Sequence, residues 1–215
     1  MVRAEGSVTG DAVIRPARAE DLEAVYRICL ETGDSGRDAS ALYRDPKLIG
    51  HVFAAPYIVL AGQISFVAVD REGVLGYAVG TADTRAFEER MEAQWWPDLR
   101  RTHDEPEGDR SGWTADELLI WSLFHPASVP GQVALDYPAH IHMNLLPRAQ
   151  GKGVGSRLLE AWFGAAREQG VSAVHAGVSE RNPAGLKFWT ARGFRPVLVE
   201  QGGGSGGTIW CGRHL

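Results

Sequence analysis

The sequence contains few cysteines, no long apolar run and no excess of basic residues. Its two cysteines, Cys29 and Cys211, are too few for a disulfide framework and too far apart for a metal knuckle, which indicates free thiols in a reducing compartment. No apolar stretch approaches the roughly 20 residues that a membrane helix needs, and residues 1–11 lack the apolar core of a signal peptide. We therefore expect a soluble, cytoplasmic protein without a membrane partner.

The charge and composition of the sequence further restrict the class of protein. The formal net charge is −5, from 22 Lys and Arg against 27 Asp and Glu. A broad nucleic-acid-binding face needs an excess of basic residues, so we expect no nucleic-acid partner, and we also expect no bound metal. Hydrophobic residues make up 44% of the 215 residues, which suits a globular protein with a sizeable core. Residues 1–11 read as a flexible lead, and we expect one domain over 12–215.

Apolar periodicity and turn residues predict a mixed α/β domain. Strands are predicted at 13–17, 65–69, 74–80, 140–146, 173–178, 195–200 and 208–211. Helices are predicted at 21–32, 46–53, 84–101, 114–124, 153–169 and 183–192. The segment 82–125, which is rich in charge and tryptophan, looks like a helical insertion packed on the main sheet. The glycine-rich segment 202–207 is interpreted as a hairpin loop between the last two strands.

One strand–loop–helix unit carries the clearest chemical signal. The strand runs to Leu146, the helix starts near Gly153, and the junction reads Gln150-Gly151-Lys152-Gly153-Val154-Gly155. Glycines at alternate positions let successive backbone N–H groups face one concave site. A helix N-terminus adds unpaired donors and a partial positive charge. The unit therefore predicts a cradle for a pyrophosphate.

Other phosphate-binding loops fit this spacing less well. A P-loop needs Ser or Thr after its Gly-Lys pair, whereas Gly153 follows Lys152 here. A dinucleotide loop needs its third glycine three residues after the second and an acid about 20 residues further on, but Gly155 follows Gly153 by two. A nucleotide-binding loop and a purely structural glycine turn remain the alternatives.

The junction resembles motif A of the GCN5-related N-acetyltransferases (GNAT), whose pattern is Gln/Arg-x-x-Gly-x-Gly/Ala. Downstream, Asn182-Pro183-Ala184-Gly185-Leu186-Lys187-Phe188-Trp189-Thr190-Ala191-Arg192-Gly193-Phe194 resembles motif B, an Asn and an aromatic residue on a short helix that ends in Gly-Phe. The N-terminal helices, the first hairpin and the last strands also follow the family's order. The resemblance implies the GNAT fold, with a mixed, mostly antiparallel sheet of about six to seven strands flanked by helices.

A narrower resemblance concerns the first half of the chain. The segments 42–50 and 76–83, the dipeptide Trp96-Pro97 and the ending 212–215 are similar to the acetyltransferase-like C-terminal domain of animal O-GlcNAcases. This chain contains no glycosidase domain and keeps an intact glycine loop. We therefore expect a stand-alone relative of that domain that binds coenzyme A.

The resemblance implies an acetyl-CoA-dependent N-acetyltransferase that uses acetyl-CoA as cosubstrate. The acceptor is an amine of a peptide, a protein lysine or a small molecule, which attacks the thioester directly in a ternary complex. In this family the strand before motif A splays from its neighbour and pairs with the pantetheine arm. The residues implied for the coenzyme are Met143, Asn144, Leu145, Gln150, Gly151, Lys152, Gly153, Val154, Gly155, Ser156, Asn182 and Trp189. A homodimer is one further expectation.

The acid and base are less clearly indicated. His140 and His142 lie on one face of their strand, and a histidine near neutral pKa suits a general base. Asp136 precedes the strand, where it could line the approach path of the amine. We name His142 and Asp136 as catalytic candidates; for His142 the alternative is a hydrogen-bonded histidine with a structural role. Trp189 stands where family members often have a tyrosine acid, and it offers no acidic proton. A catalytically weak or inactive acyl-CoA-binding or peptide-binding module is therefore the second hypothesis.

Overall fold

Seven strands form one mixed sheet in the order β1-β2-β3-β4-β5-β7-β6. The computed structural model describes residues 12–60, 62–202 and 206–215. The strands are β1 Val13–Pro16, β2 Ile64–Asp70, β3 Gly73–Thr81, β4 Ala139–Leu145, β5 Ala173–Ser179, β6 Arg195–Glu200 and β7 Thr208–His214. All neighbouring strands are antiparallel except β4 and β5, which are parallel. The sheet type implied by the resemblance is thus confirmed.

Helices cover both faces of the sheet. They are α1 Leu22–Glu31, α2 Leu48–Phe53, α3 Pro56–Val59, α4 Thr84–Gln94, α5 Trp96–Arg100, α6 Ala115–Phe124, α7 Gly131–Asp136, α8 Val154–Glu168 and α9 Pro183–Thr190. One buried cluster joins α8 and α9 to the sheet, and a second joins α1 to α6 to the opposite side. We call these sides the α8 face and the α1 face.

Helix α8 is held on its face by an apolar stripe. Leu158, Leu159, Trp162, Phe163 and Ala166 recur at helical spacing and are all buried. The Trp162 indole also donates a hydrogen bond of 3.0 Å to a carbonyl oxygen of β2. Fully burying one such side chain stabilises a fold by roughly 1.5–3 kcal/mol. This packing fixes where the N-terminus of α8 lies relative to the sheet.

The 82–125 segment is helical and packs on the α1 face, as predicted. A single helix over 84–101 was wrong, because the chain breaks at Trp95 into α4 and α5. Pro97 lacks an N–H and its ring blocks continuation of the preceding turn. The helices α3 and α7 were not anticipated, since four and six residues show too few turns for a periodic signal. Helix α2 starts at Leu48 rather than at 46, and β7 continues to His214.

Two sequence expectations fall partly on undescribed residues. The flexible lead expected at 1–11 lies outside the described residues. Of the glycine-rich segment 202–207, residues 203–205 lie outside them as well, although β6 and β7 pair as antiparallel neighbours on either side of it. The assignment of one domain over 12–215 stays a prediction.

Asp21 anchors the start of α1 to the first strand. Its buried carboxylate accepts two hydrogen bonds of 2.7 Å from the Arg15 guanidinium and one of 2.9 Å from the Arg18 N–H. The Arg15 hydrogen bond is the main cause that holds the pKa of Asp21 below its ordinary value, with the Arg18 N–H acting in the same direction. The ionised carboxylate is therefore part of the folded state's stability.

We expect Asp21→Asn to lower the free energy of unfolding by about 1–2 kcal/mol at pH 7, since it removes charge-assisted hydrogen bonds. Because the folded pKa of Asp21 is lowered, the contribution is complete above the unfolded pKa of about 4 and disappears as pH falls through the folded value. Urea unfolding at several pH values measures the gap between wild type and variant. A gap of the same size at pH 7 and pH 2.5 would contradict this account.

Candidate functional site

Strands β4 and β5 separate shortly after they begin. They pair only through Ala139 with Val174 and His140 with His175. On its other edge, β4 stays paired with β3 from His140 to Leu145. The edge of β4 that faces β5 therefore has no strand partner beyond His140, which leaves its backbone N–H and C=O groups open to an extended ligand. The splay that the resemblance implies for this strand is confirmed.

A glycine loop closes the open end of this cleft. Gly151 and Gly153 have φ angles of 72° and 75°, in the left-handed region that glycine adopts without steric cost. A Cβ atom at either position would meet no atom of the described residues within 4 Å, so among these residues the loop backbone is openly accessible. At Gly155, by contrast, a Cβ atom would lie 2.9 Å from Cε2 of Phe188. This third glycine lets α8 pack closely on α9.

The start of α8 presents donors to the same region. Its N-cap is Gly153, which has no side chain to cap the helix. The first N–H groups of a helix have no intrahelical partner and carry a partial positive charge. Gln150 closes the loop onto β4 by donating a hydrogen bond of 3.1 Å to the Leu145 carbonyl. The arrangement can hold an anionic group against the helix.

The basic residues around the loop differ in their partners. Arg148 donates to the Asp70 carboxylate at 2.6 Å and lies 3.7 Å from the Glu72 carboxylate, so it ties the loop to the β2–β3 turn. Lys152 and Arg157 are exposed, and within the described ranges neither has a carboxylate within 4.0 Å. These two cations are therefore available to an anionic ligand, whereas Arg148 is already paired.

A polar groove of about 440 Å³ lies beside the first two turns of α8. It is lined by Ser156, Leu159, Glu160, Ala191, Arg192, Gly193 and Arg213. Arg192 donates to Ser156 Oγ at 2.7 Å and to the Phe188 carbonyl at 2.9 Å, but its buried Nε has no hydrogen-bond partner. Partial burial lowers the pKa of this guanidinium, and no carboxylate among the described residues pairs with it. The groove thus contains an unpaired cation.

Side chains of β4 alternate between the two faces of the sheet. Met143 and Leu145 pack with the cluster on the α8 face. Asn144 points to the α1 face, where its Nδ2 donates to Thr32 Oγ1 at 2.5 Å. Thr32 in turn donates to the Ile28 carbonyl at 2.6 Å. The open strand is therefore fastened to the C-terminal end of α1.

The two histidines of β4 have different surroundings. His140 is buried, with Nδ1 2.9 Å from Thr84 Oγ1 and Nε2 2.6 Å from Tyr57 Oη. His142 is half-buried, and within the part of the chain that the structure describes its ring nitrogens have no hydrogen-bond partner. Burial lowers the pKa of His142 to about 4, so the ring is neutral at pH 7. His140 is held by two hydrogen bonds, whereas the neutral ring of His142 forms none with the described residues.

An apolar surface borders His142. Its ring centroid lies 5.5 Å from that of Tyr57 and 6.5 Å from that of Phe53. Phe53 is 43% exposed, whereas Tyr57 is buried in the cluster on the α1 face, so this wall reaches solvent only at Phe53. The open side of His142 is therefore where an acceptor molecule can approach.

The other residues predicted from the sequence lie in three different places relative to the cleft. Asn182 follows β5 and caps α9, accepting the Gly185 N–H at 2.8 Å; because β4 and β5 are parallel, it lies at the same end of the sheet as the glycine loop. Trp189 is buried in the core, with its ring 4.7 Å from that of Phe194. Asp136 is exposed at the end of α7, accepts from Gln132 at 2.7 Å, and precedes β4 at the end opposite the loop.

Three contacting residues were missed by the sequence analysis. Thr32, Tyr57 and Arg192 meet Asn144, His140 and Ser156 across 112, 83 and 36 residues of chain. No local pattern predicts these contacts, because the partner of each residue lies far along the sequence; this holds for Arg192 too, although it lies within the motif B segment. Among the described residues no group of three or more His, Cys, Asp or Glu side chains is arranged to hold a metal ion. Within those ranges, no helix has both the length and the apolar character to cross a membrane.

Comparison with known proteins agrees with this geometry. Residues 89–194 match the model of the Acetyltransferase (GNAT) family. The chain is 36% identical to SsHAT, whose crystal structure superposes with a TM-score of 0.84 over 95% of this chain and 98% of that one. A GNAT superfamily phosphinothricin acetyltransferase (Pat) from Sinorhizobium meliloti, solved in complex with AcCoA, shares the fold at 19% identity, with a TM-score of 0.52 over 96% of this chain and 89% of that one.

Curated relatives add a more distant likeness. Protein O-GlcNAcase from Rattus norvegicus is 24% identical over 189 residues, which cover 88% of this chain and 20% of that protein. The chain thus spans about a fifth of the length of the curated relatives it matches. The two motifs, the seven-stranded sheet with its splay and the match to SsHAT lead to one assignment: the chain belongs to the GNAT acetyltransferase family.

Proposed function

We propose that the protein is an acetyl-CoA-dependent N-acetyltransferase that transfers the acetyl group to an amine in a ternary complex. The observation that carries the proposal is the cleft between β4 and β5, which ends at an uncapped helix and an open glycine loop. An extended arm fits an unpaired strand edge, and a pyrophosphate fits a helix N-terminus. When bound, acetyl-CoA supplies the thioester that carries the acetyl group.

The residues proposed to hold the coenzyme surround this cleft. The strand edge at Met143, Asn144 and Leu145 would pair with the pantetheine arm, and the segment Gln150–Ser156 would hold the pyrophosphate. Asn182 would reach the coenzyme from the end of β5, and Trp189 would support that surface from the core. The open loop backbone supports this assignment, since a Cβ atom would otherwise occupy the space in front of Gly151 and Gly153.

The groove beside α8 suggests a place for the nucleotide 3′-phosphate. Arg192 is an unpaired cation there, and Arg213 lies against it, donating to the Arg192 carbonyl. Glu160 also lines the groove, so its carboxylate offsets part of the positive charge of Arg192 and Arg213. A phosphate in the groove would compensate the positive charge of Arg192, which forms no ion pair with a described residue.

We expect Arg192→Ala to weaken coenzyme A binding about tenfold, which corresponds to one charge-assisted hydrogen bond of about 1.4 kcal/mol. Dephospho-coenzyme A, which lacks the 3′-phosphate, should bind the variant and the wild type alike. Titration calorimetry with both ligands measures this difference, and Arg195→Ala on the exposed strand β6 is the matched control. Equal weakening of both ligands would show that Arg192 acts on the fold of the site instead.

For the chemical step, His142 is proposed as the general base. It is neutral at pH 7, faces the α1 face of β4, and would take the amine proton as the C–N bond forms, when that proton becomes acidic. A backbone N–H on the open edge of β4 would stabilise the oxyanion of the tetrahedral intermediate. Asp136 stays a candidate for a residue that borders the path of the amine. Its exposed position is the observation that supports this role. Trp189 supplies no proton to the departing thiolate, so solvent or another group must do so.

Two measurements test the proposed function. Titration calorimetry with acetyl-CoA tests binding, and thiol release with a panel of peptides, lysine-containing proteins and small amines tests transfer. No binding at millimolar acetyl-CoA would overturn the proposal. Binding without turnover across the panel would favour the second function, an acyl-CoA-binding or peptide-binding module, which the tryptophan at 189 also favours. Better competition by ATP or NAD would favour a nucleotide binder.

Three expectations about the setting of the protein stay predictions. They are a homodimer, a cytoplasmic location, and the lack of a nucleic-acid or membrane partner. For the homodimer, one candidate surface is the edge strand β6, whose six residues are all exposed. Val197 and Val199 are 42% and 52% exposed there.

A further inference from the structure

A chain of hydrogen bonds next to His142 joins Pro138, Thr84, His140 and Tyr57. The number of hydrogens on each group determines which group donates in each bond. Thr84 Oγ1 lies 2.7 Å from the Pro138 carbonyl oxygen, and two oxygens at that distance need a hydrogen between them. Because a carbonyl has none, Thr84 donates to Pro138. The single hydroxyl hydrogen of Thr84 is then used, so Thr84 Oγ1 can only accept from Nδ1 of His140, 2.9 Å away.

The same count of hydrogens determines the donor in the bond between His140 and Tyr57. His140 carries its hydrogen on Nδ1, and complete burial holds its pKa well below the ordinary value, so the ring is neutral. Its Nε2 therefore has a lone pair, and Tyr57 donates to it at 2.6 Å. Since the only hydrogen of the Tyr57 hydroxyl points to His140, the Tyr57 oxygen can only accept from any further group.

His142 lies beside the Tyr57 ring, although among the described residues no hydrogen bond joins Tyr57 Oη to the neutral His142 ring. The two rings lie with centroids 5.5 Å apart at an angle of 53°. Titratable side chains near this cluster are His140 on β4, His175 on β5, Tyr77 on β3, and Arg85 and Glu88 on α4. In the described residues no carboxylate forms an ion pair with His142. A protonated His142 would therefore depend on a neutral oxygen for its hydrogen bond.

We propose that Tyr57, held as an acceptor by His140 and Thr84, is a positioning residue that takes a hydrogen bond from His142 once His142 has received the proton of the amine. This inference rests on the proposed acetyl transfer. In that step the C–N bond forms, the C–S bond breaks, the thiolate is protonated from solvent, and the amine proton moves to His142. Tyr57 keeps its own proton throughout and stabilises the imidazolium of His142. His142 then releases the proton to solvent and becomes neutral again.

The decisive experiment is a double-mutant cycle on kcat. Tyr57→Phe removes the oxygen but keeps the ring that stacks on Phe87 at 4.4 Å. We expect Tyr57→Phe to lower kcat about tenfold in the wild-type background and less than about twofold in the His142→Gln background. The KM for acetyl-CoA should not change, because Tyr57 does not border the coenzyme cleft. A loss of similar size in both backgrounds would assign Tyr57 a structural role and overturn the proposal.

A control and an independent readout complete the test. Tyr26→Phe removes another tyrosine hydroxyl bonded to a histidine, Tyr26 Oη to His51 Nδ1 at 2.8 Å, and should leave kcat within about twofold. Long-range ¹⁵N spectra of the wild-type protein should show His140 protonated on Nδ1; protonation on Nε2 would overturn the proposal without any activity measurement. A wild-type enzyme without turnover would overturn the proposed function and this inference together, whereas turnover unaffected by Tyr57→Phe would overturn this inference alone.

Discussion

Replacement of His142 by glutamine is expected to lower kcat by roughly 100- to 10,000-fold, the range typical for the loss of a general base. Acetyl-CoA affinity should stay within about threefold, since the His142 side chain faces the α1 face and the coenzyme cleft is formed by the backbone edge of β4. Steady-state thiol release and calorimetry measure the two quantities separately. A variant that keeps more than half of the wild-type kcat would remove His142 from the mechanism.

The control for this variant is His125→Gln. His125 is an exposed histidine at the C-terminal end of α6, paired with Glu105, and its replacement should leave both quantities unchanged. Both variants replace a histidine by glutamine. A loss of kcat that occurs only in His142→Gln is therefore due to the place of His142 in the structure and not to the type of substitution. If His125→Gln lost activity to the same degree, the assay would be reporting general destabilisation.

The environment of His142 also has a consequence for pH dependence. Because burial lowers its pKa to about 4, His142 is unprotonated throughout the range from pH 6 to pH 9. The rise of kcat/KM with pH in that range should therefore follow the fraction of neutral amine in the acceptor. A change of acceptor to an amine of lower pKa should shift the profile to lower pH. A limb near pH 6.5 that is independent of the acceptor and absent from His142→Gln would contradict the low pKa of His142.

The double variant Gly151→Ala, Gly153→Ala is expected to lose acetyl-CoA affinity by about 100-fold or more, equivalent to about 2.7 kcal/mol. Both residues have positive φ, and alanine there is strained by roughly 1–2 kcal/mol per position. The new methyl groups would meet no protein atom within 4 Å, so they should project into the space proposed for the pyrophosphate. Titration calorimetry measures the affinity, and urea unfolding measures the cost to the fold.

Gly170→Ala is the matched control for strain. Gly170 has a φ of 78° and an equally open surrounding, but it follows the opposite end of α8. It should cost the fold about as much as one of the loop substitutions and leave acetyl-CoA affinity unchanged. If the loop variant bound acetyl-CoA as tightly as Gly170→Ala does, the glycine loop would not be the coenzyme cradle.

Local patterns were sufficient for most of the fold. The seven strands and the long helix α8 follow from apolar spacing and turn residues, because a chain's period and its capping residues act over only a few positions. The glycine spacing from Gly151 to Gly155 and the capped helix after Asn182 are equally local, and they indicated the family. The break at Trp95 shows the limit, because Pro97 was visible in the sequence but the pattern around it read as one helix.

The contacts that shape the candidate site are long-range. Asn144 meets Thr32 across 112 residues, and His140 meets Tyr57 across 83, so neither pair leaves a signal in any window of sequence. The sequence could place His140 and His142 on one face of a strand, since side chains alternate. It could not tell that both nitrogens of His140 are hydrogen-bonded while His142 forms no hydrogen bond with a described residue, because that difference arises from which helices pack over the strand. The local sequence thus shows which residue types are present and which face of a strand they occupy. Their burial and hydrogen-bond partners, which determine their reactivity, depend on the tertiary structure.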